Sequence, residues 1–223
     1  MGLLDTLLGR TKPVAAKLDA LFSLPSAAIT LQSAADITGS GEAGVCVKPA
    51  ASGSFEEAER EIRELLSRND SEDDGAALAG SQSELGAGAG AASGGAAGTS
   101  LQNRLRVEKD EYGYQWLVVS NPSLEDLVTE IHMVNTTLSE AGWSQQLLCS
   151  VFGLSVPEGP TTSAERAYLV YLYKRGTFYP FVPVGSQKRD NELELRLRSL
   201  VEGDLPIETD LSRWFPLWGL PVH

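Results

Sequence analysis

The residue types that most often carry catalysis or bind metals are sparse in this chain and lie far apart. Its two histidines are His223, the last residue, and His132, alone on a predicted helix beside an apolar stripe. Metal sites built from His and Cys need clustered ligands, and neither HExxH nor CxxC occurs. The glycine-rich stretch is followed by neither Lys-Ser nor Lys-Thr, so it is not a phosphate-cradling loop, and no dinucleotide fingerprint is present. No GxSxG elbow exists, and no nearby base is in place to activate the serines. Most carboxylates fall at helix caps or on solvated helix faces. These residues predict a protein with no catalytic site, no metal and no cofactor. Cys46 and Cys149 each lie in an apolar stretch, far apart in sequence, and read as two buried thiols of a reducing compartment in preference to a disulfide or a nucleophile.

Two local concentrations point to binding instead. Basic pairs occur at Lys174-Arg175 and at Lys188-Arg189, in a chain of net charge −12. They read either as an anion or partner site or as solvated turn charges. The segment from Asp204 onward, DLPIETDLSRWFPLWGLPVH, carries Arg213, Trp214, Phe215 and Trp218 outside any predicted element. Tryptophan and arginine are enriched at binding hot spots. A segment this apolar either wraps the core or meets a partner. Lys174, Arg175, Lys188, Arg189, Arg213, Trp214, Phe215 and Trp218 are therefore the expected partner-binding residues.

At the other end, Leu3, Leu4, Leu7 and Leu8 share one face of a short predicted helix. That face either packs on the protein's own core or touches a membrane surface weakly, since one or two turns bury little area. An acidic chain without a basic stripe disfavours nucleic acid, whose affinity comes largely from neutralised phosphates. No run of about eighteen apolar residues appears, so no spanning helix is predicted. The expected location is cytoplasmic, with a peripheral place at the inner face of the membrane left open.

The elements that must position these residues can be read from periodicity. A short helix over 17–24 is expected to stop at Pro25, with strands at 28–34 and 44–48. Ser54 to Glu57 forms a capping box for a helix ending near Arg68. Residues 69–103 hold five acidic residues, no basic one and almost no large apolar ones. Such a stretch cannot bury enough surface to offset its ordering entropy, so a flexible insertion is expected there. Strands follow at 104–109 and 114–120, then a helix capped by Ser123 and closed by Gly142. The run at 168–174 is apolar on both faces, as in a central strand. Gly176 suits a hairpin turn, and Pro180 assigns 177–182 to a sheet edge or a strand end. Asp190 caps the last long helix.

The resulting pattern is strand–strand–helix three times over. It predicts an α+β fold, an antiparallel sheet with helices packed mainly on one face. The organisation is an N-terminal part (1–68), the insertion (69–103) and a C-terminal part (104–223), the two outer parts combining into one domain.

Long blocks of the chain also resemble the PspAB family of PspA-associated proteins. They are MGLLDTLLGRTKP with LDALFSLPSAAITLQ, GYQWLVVS, YLVYLYKRGTFYPFVP, and the run from Asp190 to Gly219. The similarity covers nearly the whole chain apart from 69–103 and the loop at 155–166. It implies an accessory protein of the phage-shock envelope-stress response. The implied partner is the membrane-remodelling protein PspA, or an HtpX-type membrane metalloprotease. The family supplies no catalytic residues to carry over. Other roles stay open on the residues alone: a peripheral membrane protein, a client-binding module like a secretion chaperone, or a hydrolase with an unfamiliar site.

Overall fold

A computed structural model describes residues 18–48, 55–79, 104–159, 162–185 and 187–223, with side chains in the 55–79 helix described to residue 68. A 3-10 turn at Leu18–Ser23 leads into helix α1 (Leu24–Ala35). Strand β1 (Thr38–Val47) and helix α2 (Phe55–Ala79) follow. After β2 (Leu105–Lys109) and β3 (Gln115–Ser120) comes α3 (Leu124–Leu138). Then β4 (Leu147–Ser155), β5 (Arg166–Leu172) and β6 (Thr177–Phe181) precede α4 (Asn191–Val201).

The six strands form one antiparallel sheet in the order β2-β3-β1-β4-β5-β6. The predicted α+β class is the observed one. Strand β1, from the N-terminal part, lies at the centre between β3 and β4, so both ends of the chain build the same sheet.

One expected strand is a helix. Residues 28–34 belong to α1, and Pro25, expected to stop a helix, sits in its first turn. Proline is tolerated there because its missing N–H would have no intrahelical partner anyway. The buried positions Leu24, Ala27 and Leu31 have helical spacing, which outweighs the β-branched look of the segment. With that strand lost and Leu147–Ser155 a strand of its own, one, two and three strands precede successive helices α2, α3 and α4, instead of two each. Helix α2 also runs past the expected end at Arg68 to Ala79.

Other local expectations hold. Ser123 accepts the Asp126 amide and Asp190 the Leu193 amide, each satisfying an otherwise free donor at a helix start. Strand β5 is interior and buried on both faces, and β6, with its Pro180, is the edge.

The sheet is apolar on both faces. Ala43, Val45, Leu117, Val119, Phe152 and Leu169 face the helical layer, where α1, α3 and α4 pack. Cys46, Trp116, Val118, Cys149, Val170 and Tyr179 face the other way. A register irregularity between Cys46 and Val47 opposite β4 lets Leu147 point to the helices while Cys149 points to the second face. Among the described residues no α-helix covers that second face. The segment 204–223 does.

Candidate partner-binding face

The covering segment starts as an extension of the sheet. Free edge groups on β6 bind it, as the Phe178 amide donates to the Pro206 carbonyl and the Glu208 amide donates to Phe178 (both 2.8 Å). Leu205 is buried on the helical side, and Asp204 accepts the hydroxyls of Ser26 and Thr30 on α1 at 2.9 and 2.7 Å. The chain then crosses to the second face. Asp210 accepts from the Ser212 amide and so caps a 3-10 turn at Leu211–Arg213.

Charged side chains hold the segment in place. Buried Glu208 is paired with Arg175 and accepts from Thr177, and Arg213 lies 4.0 Å from Glu208 and 3.4 Å from Asp210. Arg189 pairs with buried Glu194 at 2.8 Å, donates to the Trp214 carbonyl, and lies over the Phe181 ring at 5.3 Å. At the far end, Glu42 accepts from Arg106 and from the His223 amide, both at 2.7 Å. Arg106 also donates to the Pro221 carbonyl, and the Tyr168 hydroxyl to that of Val222. Val222 is fully buried against Gly44, where a Cβ would come within 2.9 Å of its side chain.

Burial alone would raise the Glu42 and Glu208 carboxyls. The Arg106 guanidinium with the His223 amide, and the Arg175 guanidinium with the Asp210 amide, outweigh it and hold both below the ordinary glutamate value.

The aromatic residues divide between core and surface. Trp214 is buried, stacked on Tyr179 with centroids 6.0 Å apart, and its indole N–H donates to the Glu208 carbonyl at 3.0 Å. Trp218 is half-buried, edge-on to Phe181 at 5.3 Å. Phe215 is 57% exposed although its carbonyl accepts from the Tyr179 hydroxyl. The structure thus gathers Arg175, Arg189, Arg213, Trp214, Phe215 and Trp218 around one segment. Lys174 is exposed and donates to the Gln145 carbonyl at 3.1 Å, and Lys188 is exposed on the loop before α4. Leu3, Leu4, Leu7 and Leu8 lie outside the described residues, as does the Ser54 cap.

Beside Phe215–Trp218 the segment leaves a cavity of about 380 Å³, walled by the β2–β3 turn and floored by the sheet. Asp110 shapes that turn. Its carboxylate accepts the Tyr112 and Tyr114 amides and the Trp116 indole N–H, all near 2.9–3.0 Å. It is thus spent on structure. Tyr112, 56% exposed, stands at the rim with Phe215. The floor includes Trp116, Leu172, Tyr179 and the two cysteines, which the pairing of β1 with β4 sets directly opposite each other. Burial pushes the Tyr179 hydroxyl up. Contact with Cys149, then burial, does the same to the Cys46 thiol, so both are protonated at neutral pH. The cavity therefore offers apolar and aromatic surface. No cluster of three potential metal ligands occurs among the described residues.

Sequence reasoning missed the rim residue Tyr112, the turn-builder Asp110, the clasp residues Glu42 and Glu208, and the meeting of the cysteines. Glu208, Trp116, Leu172 and Tyr179 lay in blocks already singled out, but none of them had been given a role at the site. Strand partners a hundred residues apart leave no signal in a single sequence.

No match to this chain was found among curated proteins or solved structures. One family model does match, over residues 1–86 and 95–222, described as PspA associated protein B. The loop at 155–166, expected to depart from the family, is inside the match, and within 69–103 only residues 87–94 fall out of it. Matched over nearly its whole length, the chain belongs to the PspA associated protein B (PspAB) family.

Proposed function

We propose that the protein is a non-catalytic accessory of PspA in the membrane-stress response, and that it holds PspA on the face built by residues 204–223. The observation that carries this reading is the aromatic rim of Phe215 and Tyr112, exposed around an apolar cavity that the chain's own covering segment leaves open. Exposed aromatics beside a concave apolar site are the usual anchors of protein–protein recognition. The family's association with PspA supplies the occupant, an apolar side chain of PspA seated in the cavity. The basic residues then act mostly from within. Arg175, Arg189 and Arg213 hold the segment so that its rim is rigid before the partner arrives, which lowers the ordering cost of binding. Lys174 and Lys188 remain for contacts at the periphery.

In this reading the protein reaches the inner face of the membrane through PspA, since no described helix is long and apolar enough to cross one. The test is reconstitution from two purified components, read by size-exclusion chromatography with light scattering. Co-elution of this chain with PspA is expected at micromolar concentration. Separate elution, or capture only by an HtpX-type protease, overturns the reading.

A further inference from the structure

The pair formed by Cys46 and Cys149 is unused by the partner-binding reading and does not depend on it. The two residues are direct cross-strand partners at the centre of the sheet, both on its second face. Directly opposed residues in an antiparallel pair have Cα atoms about 4.5–5.5 Å apart, within the range a disulfide spans. Both are free thiols, 3% and 7% exposed, and both form part of the floor of the 380 Å³ cavity. A buried structural cysteine is ordinarily inert because burial keeps it a protonated thiol and nothing reaches it. Here a cavity that opens beside Phe215 leads to two thiols with no third ligand among the described residues, a geometry suited to oxidation and poorly suited to metal binding.

We propose that Cys46 and Cys149 form a redox-active dithiol, closed to a disulfide between β1 and β4 by a small peroxide entering the cavity. Cys149, the more exposed of the two residues, attacks the peroxide O–O bond with its sulfur. Its sulfur becomes a sulfenic acid, and the leaving hydroxide takes up the thiol proton as water. Cys46 then attacks that sulfur, forming the S–S bond and expelling the sulfenic oxygen as a second water. The balance is two thiols and one hydrogen peroxide to one disulfide and two waters. Trp116 lies opposite Cys46 on β3, so the new disulfide forms next to an indole whose emission it quenches.

The experiment treats the folded full-length chain with hydrogen peroxide, quenches with an alkylating agent under denaturing conditions, and reads intact mass. The expected product is a monomer lighter by two hydrogens, with titratable thiols falling from two to none and tryptophan emission recovering on addition of dithiothreitol. Peptide mapping should join the peptides holding Cys46 and Cys149. Cys46→Ser should stop at a sulfenic acid trappable by dimedone, and Cys149→Ser should leave its remaining thiol unreacted. Two alkylated thiols after treatment, sulfinic acid without a cross-link, or linkage only between chains would overturn the proposal. The wild-type mass decides the matter if either variant fails to fold.

Discussion

Trp214 and Phe215 are neighbours in sequence with opposite environments. The first is buried on Tyr179 and bonded through its indole to Glu208, and the second projects into solvent at the cavity rim. Truncating Trp214 leaves a void and an unsatisfied Glu208 carbonyl, so Trp214→Ala should cost about 3–5 kcal/mol in chemical denaturation. Phe215→Ala removes little buried area and should change stability by no more than about 0.5 kcal/mol. A loss of PspA binding in Trp214→Ala therefore says little about contact, whereas the same loss in Phe215→Ala is specific. Similar stability losses in the two variants would show that the stated division between core and rim is wrong.

At the scale of the element, the covering segment is fixed by close packing at one end and by charge along its length. Gly44 on β1 is what lets Val222 lie flat on the sheet. Gly44→Ala forces Val222 or the strand to move, and overpacking of this kind costs about 1–3 kcal/mol. Limited proteolysis should then cut within 219–223 faster than in the wild type, with the helical layer unaffected.

The charge clasp has a pH signature. Folding lowers the carboxyls of Glu42 and Glu208 below their ordinary value of 4.5. A carboxyl lowered by folding stabilises the native state above its ordinary value, and that stabilisation disappears as pH falls through the lowered value. Hydrogen exchange in 205–223 should therefore accelerate below about pH 4.5, before the central strands lose protection. Glu42→Gln should flatten the response near 221–223. Protection in 205–223, measured against the intrinsic exchange rate at each pH, that stays constant down to global unfolding would contradict the clasp.

Over the whole molecule, one sheet is sandwiched between a helical layer and a segment with almost no regular structure. The elements with strong local signals were legible in the sequence. The caps at Ser123 and Asp190, the doubly apolar β5 and the edge-marking Pro180 each rest on residues a few positions apart. Residues 24–35 misled because Pro25 has two meanings, stopping a helix or starting one, and only the burial of Leu24, Ala27 and Leu31 decides between them. The candidate face was half legible. Its aromatic residues stand out by type, but which of them is core depends on Tyr179 and Glu208. Its floor comes from β1 and β4 and its wall from the β2–β3 turn, whose proximity is a matter of register.

The central claim, that this rim holds PspA, is tested most directly by titrating purified PspA into the wild type and into a Tyr112→Ala, Phe215→Ala double variant by calorimetry. Both rim residues are more than half exposed, so the variant should unfold at the same denaturant midpoint as the wild type. The variant should bind at least tenfold more weakly, a loss of about 1.4 kcal/mol. Undiminished affinity in a variant of unchanged stability would contradict the claim.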